Sequence, residues 1–188
     1  MMLQTHRLNL RELTADDLAN IHAMNSLPEV DFYNTLGIPV SIDTTELLLC
    51  TWLEQAVQSP RTAYNFVLEH SVDGQFVGQI ALVFGSKPIQ KMAEVWYKLH
   101  PDYWNKGFAT EALQAVIKFG FAELCLHRIE AGCVAENAAS GRVLEKAGMQ
   151  REGLKRKNLF IRGGWYNSYI YAVLEEDYYV EVKPESAG

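Results

Sequence analysis

Hydrophobic and polar residues follow two periods along the chain, and these periods predict strands and helices in a definite order. Residues 6–13 alternate between apolar and polar side chains, so we predict a first strand there. Residues 14–17 supply a cap and early acidic residues for a helix that Pro28 interrupts. Residues 30–40 are apolar but irregular and predict a loop or short helix over a pocket. Residues 41–58 carry the broad apolar stripe of a second helix.

The middle of the chain predicts a meander of three strands. Residues 63–69 and 75–84 flank an Asp-Gly pair, which is a strong hairpin signal. Residues 85–88 turn the chain into the third strand, over 93–99, which is rich in β-branched and aromatic residues. Pro101 closes this strand, because the residue before a proline avoids the α region.

The stretch 104–112 joins that strand to a long helix, whose apolar residues recur at helical spacing over 109–124. The first turn of a helix leaves backbone N–H groups unpaired and carries partial positive charge, so this junction is a candidate anion site. Gly107 lets the backbone approach a phosphate closely, while Lys106 and Thr110 add a cation and a hydroxyl. An ordinary strand-to-helix connection would have the same local sequence pattern, so the neighbouring segments must decide between these two interpretations.

The second half of the chain predicts one more strand, a short helix and a last pair of strands. Residues 128–134 alternate like a strand, and residues 136–146 predict a helix that Gly148 ends. Residues 150–161 and 165–174 predict the two final strands, which two adjacent glycines join.

Composition fits one globular domain over residues 1–180, followed by a flexible tail at 181–188. The 188 residues are 48% hydrophobic, and their formal net charge of -6 argues against a nucleic-acid partner. No apolar stretch is long enough to span a bilayer, and the start of the chain lacks a signal peptide. The spacing of Cys50, Cys125 and Cys133 fits no metal or redox motif, so we expect buried thiols in the reducing cytoplasm.

Several short sequence matches fall in one order along the chain. They are Arg7-Leu8-Asn9-Leu10-Arg11, Gly78, Glu94, residues 101–112, Asn137-Ala138-Ala139-Ser140, residues 144–149 and Glu152-Gly153. Each match is weak alone, but together their order and spacing are specific and cover nearly the whole chain. The set resembles the GNAT superfamily of N-acyltransferases, in the branch of bacterial ribosomal-protein N-terminal acetyltransferases.

This resemblance implies an α+β fold, with about six or seven mostly antiparallel strands in a mixed sheet that is splayed at its centre and covered by helices on both faces. It implies that acetyl-CoA enters the splay and that its pantetheine arm pairs with Tyr97, Lys98 and Leu99. Asn137 and Ser140 match positions that contact the same arm and the thioester sulfur side. The implied diphosphate loop comprises Trp104, Asn105, Lys106, Gly107, Phe108, Ala109 and Thr110. Trp104 stands where the family often carries Arg or Gln, so we expect that phosphate contact to be either missing or replaced by one from Lys106.

Two residues are candidates for the chemistry of acyl transfer. Glu94 is the candidate base, acting directly or through a water, and a structural carboxylate is the alternative. Ser140 is the candidate proton donor or water-positioning group for the departing thiolate, because the tyrosine that serves many GNAT enzymes has no clear match; capping or lining its helix is the alternative. Backbone N–H groups around residues 97–99 would stabilise the oxyanion.

The resemblance therefore implies an acetyl-CoA-dependent N-acetyltransferase that acts on a primary amine, either a peptide N-terminus or a small molecule. A catalytically inactive acyl-CoA-binding sensor is the alternative, because Asn158 and Asn167 stand where relatives often carry acidic residues. A nucleotide-binding enzyme is disfavoured, since neither a G-x-x-x-x-G-K-[ST] loop nor a G-x-G-x-x-G turn is present. We expect no metal and no membrane partner. The acceptor pocket would form from residues 25–40 and 157–167, and the oligomeric state, a homodimer included, stays open.

Overall fold

A computed structural model describes residues 1–85 and 88–182, which form one eight-stranded sheet with helices on both faces. The strands are β1 (Met2–Gln4), β2 (Leu8–Glu12), β3 (Ala63–His70), β4 (Phe76–Phe84), β5 (Met92–Leu99), β6 (Arg128–Val134), β7 (Gln150–Ile161) and β8 (Gly164–Leu174). The helices are α1 (Leu18–Asn25), α2 (Pro28–Asp31), α3 (Ile42–Val57), α4 (Phe108–Ala122), α5 (Ala138–Lys146) and α6 (Glu175–Val182). Three short 3₁₀ turns cover residues 15–17, 88–90 and 101–103.

The sheet is split near its centre, between β5 and β6. Its strand order is β1-β2-β3-β4-β5-β6-β8-β7, and every neighbouring pair is antiparallel except β5 and β6, which are parallel. The parallel pairing joins only Met92–Glu94 to Arg128–Glu130, whereas β4 stays paired with β5 as far as Leu99. Beyond Glu94 and Glu130 the two strands therefore part, which is the central splay that the family resemblance implies.

Alternation along β5 divides its side chains between two packed layers. Ala93, Val95 and Leu99 are buried in the main core, against the apolar stripe of α4. Trp96 lies on the opposite face of the sheet and packs on Trp52 of α3, with ring centroids 5.7 Å apart. A second, smaller core joins α1 and α3 to that face of the sheet. The two faces of β5 therefore look into different surroundings.

Most predicted elements are confirmed, and the exceptions lie near the ends of the chain. The sheet has eight strands rather than six or seven, because Met2–Gln4 adds an edge strand that is too short to show alternation. Residues 175–182 form α6, which the sequence analysis did not predict. The predicted turn at 85–88 lies partly outside the described residues, and so does the predicted tail at 181–188 beyond residue 182.

The prediction that the cysteines are buried holds only for Cys133. Cys50 lies on the solvent side of α3, and Cys125 follows α4 in a turn with a φ of 52°, so both thiols are exposed. All three cysteines are free. No helix in the described ranges is long and apolar enough to cross a membrane.

We predict that Gly78→Ala destabilises the protein, because a Cβ there would lie 2.2 Å from the Lys98 carbonyl oxygen and 2.8 Å from Leu99 Cα. Backbone atoms cannot move aside cheaply, so we expect the free energy of unfolding to fall by about 1–3 kcal/mol. Urea denaturation measures the loss. Gly153→Ala is the matched control, since nothing lies within 4 Å of its added Cβ. Equal stability of the two variants would contradict the prediction.

Candidate active site

A cavity of about 600 Å³ occupies the gap where β5 and β6 part. Its walls come from β5, β6, β7, β8, the start of α5 and the segment 30–36, together with Trp52 of α3. Of the predicted site residues, Glu94, Tyr97, Lys98, Asn137 and Ser140 line this cavity. The diphosphate loop 104–110 lies past the end of β5, and its residues do not line the cavity.

The edge of β5 that faces the gap carries backbone polar groups without a strand partner beyond Glu94. The His100 N–H donates to the Val77 carbonyl of β4 at 2.9 Å, whereas the Leu99 carbonyl accepts from the Trp104 indole N–H at 2.8 Å. Because neighbouring residues of a strand direct their polar groups to opposite edges, the amides of Tyr97 and Leu99 face the gap. The edge can therefore pair with an extended ligand or donate to a developing oxyanion.

Tyr97 and Ser140 form a hydrogen-bonded pair in the cavity wall. The Tyr97 hydroxyl lies 2.9 Å from Ser140 Oγ and 3.2 Å from the Ser140 carbonyl oxygen. Burial raises the pKa of the Tyr97 phenol, so it keeps its proton at neutral pH. The sequence analysis assigned Tyr97 only backbone contacts, because no local pattern links residues 43 positions apart.

Asn137 positions this pair by capping α5. Its side-chain oxygen accepts from the Ser140 N–H at 3.1 Å, which satisfies one of the unpaired amides of the first turn. The cap fixes the backbone of Ser140 and leaves the Asn137 side-chain amide nitrogen available to the cavity that Asn137 also lines.

The predicted anion loop is exposed and has an unusual backbone. Asn105 and Gly107 both take left-handed conformations, with φ of 59° and 83°. α4 begins at Phe108, and its first described helical bond runs from the Glu111 N–H to the Gly107 carbonyl at 3.0 Å. The N–H groups of residues 108–110 therefore have no intrahelical partner, as an anion seat requires. A left-handed Gly107 was foreseeable from its residue type, and asparagine, which stands at 105, is one of the few other residue types that adopt this conformation readily.

A clamp between the N-terminal strand region and α4 holds this loop in place. Arg7 Nη1 donates to the Lys106 carbonyl at 3.0 Å, and its Nε donates to Glu111 Oε2 at 2.7 Å. The Thr5 hydroxyl donates to Glu111 Oε1 at 2.6 Å. Burial alone would raise the pKa of Glu111, but the hydrogen bonds from Thr5 and Arg7 outweigh it and hold that pKa below its ordinary value. The carboxylate in the first turn of α4 is therefore neutralised by Arg7 and repels a bound anion less.

Glu94 lines the cavity but lies apart from the Tyr97–Ser140 pair. It is exposed on the opposite face of β5, and three residues of strand correspond to about 10 Å. Its register partner on β6 is Glu130, whose carboxylate accepts from Arg128 Nε at 2.7 Å. Any role of Glu94 as a base would therefore run through water or from the far side of the gap, and it stays a prediction.

The sequence analysis missed the side-chain amine of Lys98, because it assigned a role only to the backbone of this residue. Its Nζ donates to Asn25 Oδ1 of α1 at 3.2 Å, on the face of β5 opposite to Tyr97. Burial lowers the pKa of this amine to about 8, although the negative charge of Asp31 opposes the shift. The amine is therefore mostly protonated at pH 7 but titrates near neutrality.

The two asparagines that depart from the family pattern make different contacts. Asn167 Oδ1 accepts from the Lys157 N–H at 2.9 Å, where β7 shifts register and Lys157 has a φ of 49°. This contact stabilises an irregular stretch of β7. Asn158 lines the cavity and accepts from the Ser168 hydroxyl at 3.0 Å. Across the described ranges, no cluster of three His, Cys, Asp or Glu side chains could hold a metal ion.

Comparison with known proteins agrees with the family that the sequence motifs resemble. A family model described as an acetyltransferase (GNAT) domain matches residues 7–150. The N-acetyltransferase YoaA of Bacillus subtilis (strain 168) is 30% identical over 174 residues, which cover 93% of this chain and 97% of that protein. The N-acetyltransferase YnaD of the same organism is 46% identical over 85 residues, which cover 45% of this chain and only 50% of YnaD.

Solved structures share the fold over nearly the whole chain. A GNAT-family acetyltransferase from Bacillus anthracis has a TM-score of 0.81 at 32% identity, over 94% of this chain and 99% of that one. The ribosomal-protein-S5-alanine acetyltransferase of Vibrio fischeri has a TM-score of 0.82 at 21% identity, over 98% and 100%. The spermidine N-acetyltransferase of Vibrio cholerae, solved with CoA and spermine, has a TM-score of 0.81 at 24% identity, over 93% and 99%.

We predict that Glu111→Gln lowers the free energy of unfolding at pH 7 by about 1–2 kcal/mol, because the charged hydrogen bonds to Thr5 and Arg7 are lost. A carboxylate with a lowered pKa in the folded state stabilises the fold above its unfolded pKa, and this contribution disappears as the pH falls through the folded pKa. Urea denaturation from pH 7 to pH 3 should therefore show the variant losing less stability on acidification than the parent.

Glu123→Gln, at the exposed end of the same helix, is the control for removing one negative charge. Identical acid sensitivity of the parent and Glu111→Gln would show that the clamp contributes nothing to stability.

Proposed function

The chain belongs to the GNAT acetyltransferase family, and we propose that it transfers the acetyl group of acetyl-CoA to a primary amine. The observation that carries this proposal is the position of the Tyr97–Ser140 pair, in the cavity that opens where β5 and β6 part. A protonated hydroxyl beside exposed strand amides is what release of a thiolate and stabilisation of an oxyanion require.

The described residues fit acetyl-CoA at both ends of the site. The unpaired amides of residues 108–110 and the exposed Lys106 side chain match a diphosphate. The gap-facing N–H of Leu99, next to the loop, matches an amide carbonyl of an extended pantetheine arm. Trp104 contributes by its indole hydrogen bond to Leu99, which ties the loop to the strand, rather than by a charged phosphate contact.

Bound acetyl-CoA would supply a thioester carbonyl carbon for an amine to attack. In our proposal the gap-facing N–H of Tyr97 hydrogen-bonds the carbonyl oxygen, a contribution of about 3 kcal/mol in other acyl-transfer enzymes. Ser140 orients the Tyr97 hydroxyl, which donates its proton towards the sulfur. Glu94 accepts the amine proton through water. Each of these roles lies within one chain, so the proposal needs no second copy.

The choice of acceptor depends on how readily its amine loses a proton, because only a neutral amine can attack the thioester. An α-amino group has a pKa near 8, so roughly a tenth is neutral at pH 7, whereas the neutral form of a free lysine amine is roughly 200-fold scarcer. Two of the related structures are of enzymes whose names give a ribosomal-protein alanine and spermidine as their acceptors. Both kinds of acceptor are compatible with a cavity of about 600 Å³. We propose a small amine or a peptide N-terminus as acceptor, in the cytoplasm where the free thiols of the chain would stay reduced.

The first test measures release of the CoA thiol from acetyl-CoA with a panel of small amines and short peptides. We expect amine-dependent thiol release, and calorimetric binding of CoA that weakens when Gly107→Val removes the left-handed turn. Binding of CoA without thiol release for any amine would favour the acyl-CoA-binding sensor instead. No heat with CoA or acetyl-CoA on folded protein would overturn both functions.

The second test separates proton donation from cofactor binding. We expect Tyr97→Phe to lower kcat by about 10²-fold or more, because no hydroxyl remains to donate to the sulfur, with little change in the KM for acetyl-CoA. Ser140→Ala should have a smaller effect, since it only frees the Tyr97 hydroxyl. Tyr178→Phe on α6 is the control for loss of a phenol oxygen. An unchanged kcat in Tyr97→Phe would remove Tyr97 from the mechanism.

A further inference from the structure

A second cavity, of about 180 Å³, adjoins the first and is not used by the mechanism. Three residues, Asn34, Leu36 and Lys98, line both cavities, so Lys98 stands between them. The smaller cavity lies between the segment 34–40, the C-terminal end of α1 and the N-terminal half of α3. We call it the side pocket. A substrate that enters the main cavity can reach it only past Asn34, Leu36 or Lys98.

The side pocket is built for a negative or neutral polar group. Lys98 is the only charged residue among those that line it in the described chain, and no aspartate or glutamate lines it. Amide and hydroxyl groups come from Asn25, Asn34, Thr44 and Thr45, and the remaining walls are aliphatic apart from one glycine. A second ammonium group placed there would meet a cation and no carboxylate in the pocket lining, since Asp31 lies outside it, whereas a carboxylate would meet a cation and several hydrogen-bond donors.

The Lys98 amine is available to such a group. Among the described residues its Nζ bonds only Asn25 Oδ1, and no carboxylate lies within 4.0 Å, so two of its three N–H donors remain. Asn25 is 6% exposed and anchors the amine. Burial lowers the pKa of Lys98 to about 8 and the nearby charge of Asp31 opposes this, so the amine is mostly an ammonium at pH 7. Asp31 is itself buried and does not line the side pocket.

We propose that the side pocket binds the carboxylate of the acceptor, with Lys98 as its cationic partner. This inference rests on the proposed acetyl transfer and narrows the acceptor to small amines that carry a carboxylate at the far end. Alkylamines should be weaker substrates, because they leave the Lys98 donors without a new partner. Diamines and polyamines should be weaker still, because their second ammonium would face Lys98.

The experiment compares three matched series of straight-chain acceptors at saturating acetyl-CoA. Each chain length, from two to six carbons, is tested as the alkylamine, the diamine and the amino acid whose amine and carboxylate lie at opposite ends. We expect kcat/KM for the amino acid to exceed that for the diamine at least tenfold at the best length. The length at which the difference peaks measures the distance from the reacting amine to Lys98.

Substitutions at two positions test the residues behind that preference. The readout is the ratio of kcat/KM for two acceptors within each variant, so that a general loss of activity cancels. Lys98→Met should reduce the amino-acid-to-diamine ratio at least tenfold, whereas Lys98→Arg should retain its direction. Val40→Glu places a carboxylate on the wall of the side pocket at a residue that is 94% exposed, so its folding should be unaffected, and it should shift the ratio towards diamines. Lys155→Met, which removes a cation from the main cavity alone, is the matched control and should keep the parent ratio.

The outcomes separate the two proposals. A parent ratio below tenfold, or a ratio that neither Lys98→Met nor Val40→Glu changes, overturns the side-pocket assignment while acetyl transfer stands. Absence of thiol release with every member of all three series and with the peptide panel overturns acetyl transfer itself, and the side-pocket assignment falls with it.

Discussion

The structure depends on one constraint, which is that the parallel pairing between β5 and β6 is short. Three residue pairs hold these strands together, and past Glu94 and Glu130 each strand is supported only by its antiparallel neighbour. Unpaired backbone groups are tolerated where a polar ligand or solvent can satisfy them. The split therefore supplies both the cavity and a free strand edge, and the site exists because the sheet is incomplete there.

Side chains of β5 line this split on both faces of the sheet. Tyr97 points towards α5, where Ser140 holds its hydroxyl, and Lys98 points towards α1, where Asn25 holds its amine. Alternation along a strand places successive side chains on opposite faces, so one dipeptide contributes a protonated phenol and a cation to different walls of the gap. The proposed proton donation by Tyr97 and the proposed acceptor recognition by Lys98 can thus be altered separately, although the two residues are adjacent.

The predicted diphosphate loop needs support from distant parts of the chain because it is itself irregular and exposed. The Trp104 indole ties it to the end of β5, and the Arg7 guanidinium ties the Lys106 carbonyl to the N-terminal strand region. Arg7 also neutralises Glu111, the carboxylate that stands one turn into α4. A positively polarised helix start is useful to an anion only when the nearest negative charge is balanced in this way.

The sequence by itself determined the order of the strands and helices, the turn at Gly107 and the family, because periodicity, glycine and local motifs act over a few residues. It also indicated Ser140 and Asn137, which stand in a short helix start that local spacing describes. It did not reveal the Tyr97–Ser140 hydrogen bond, the Arg7–Glu111 clamp or the protonated amine of Lys98 beside Asn25. Those contacts join residues 43, 104 and 73 positions apart, and only the tertiary packing decides which distant side chains meet, how deeply they are buried and hence which protons they hold.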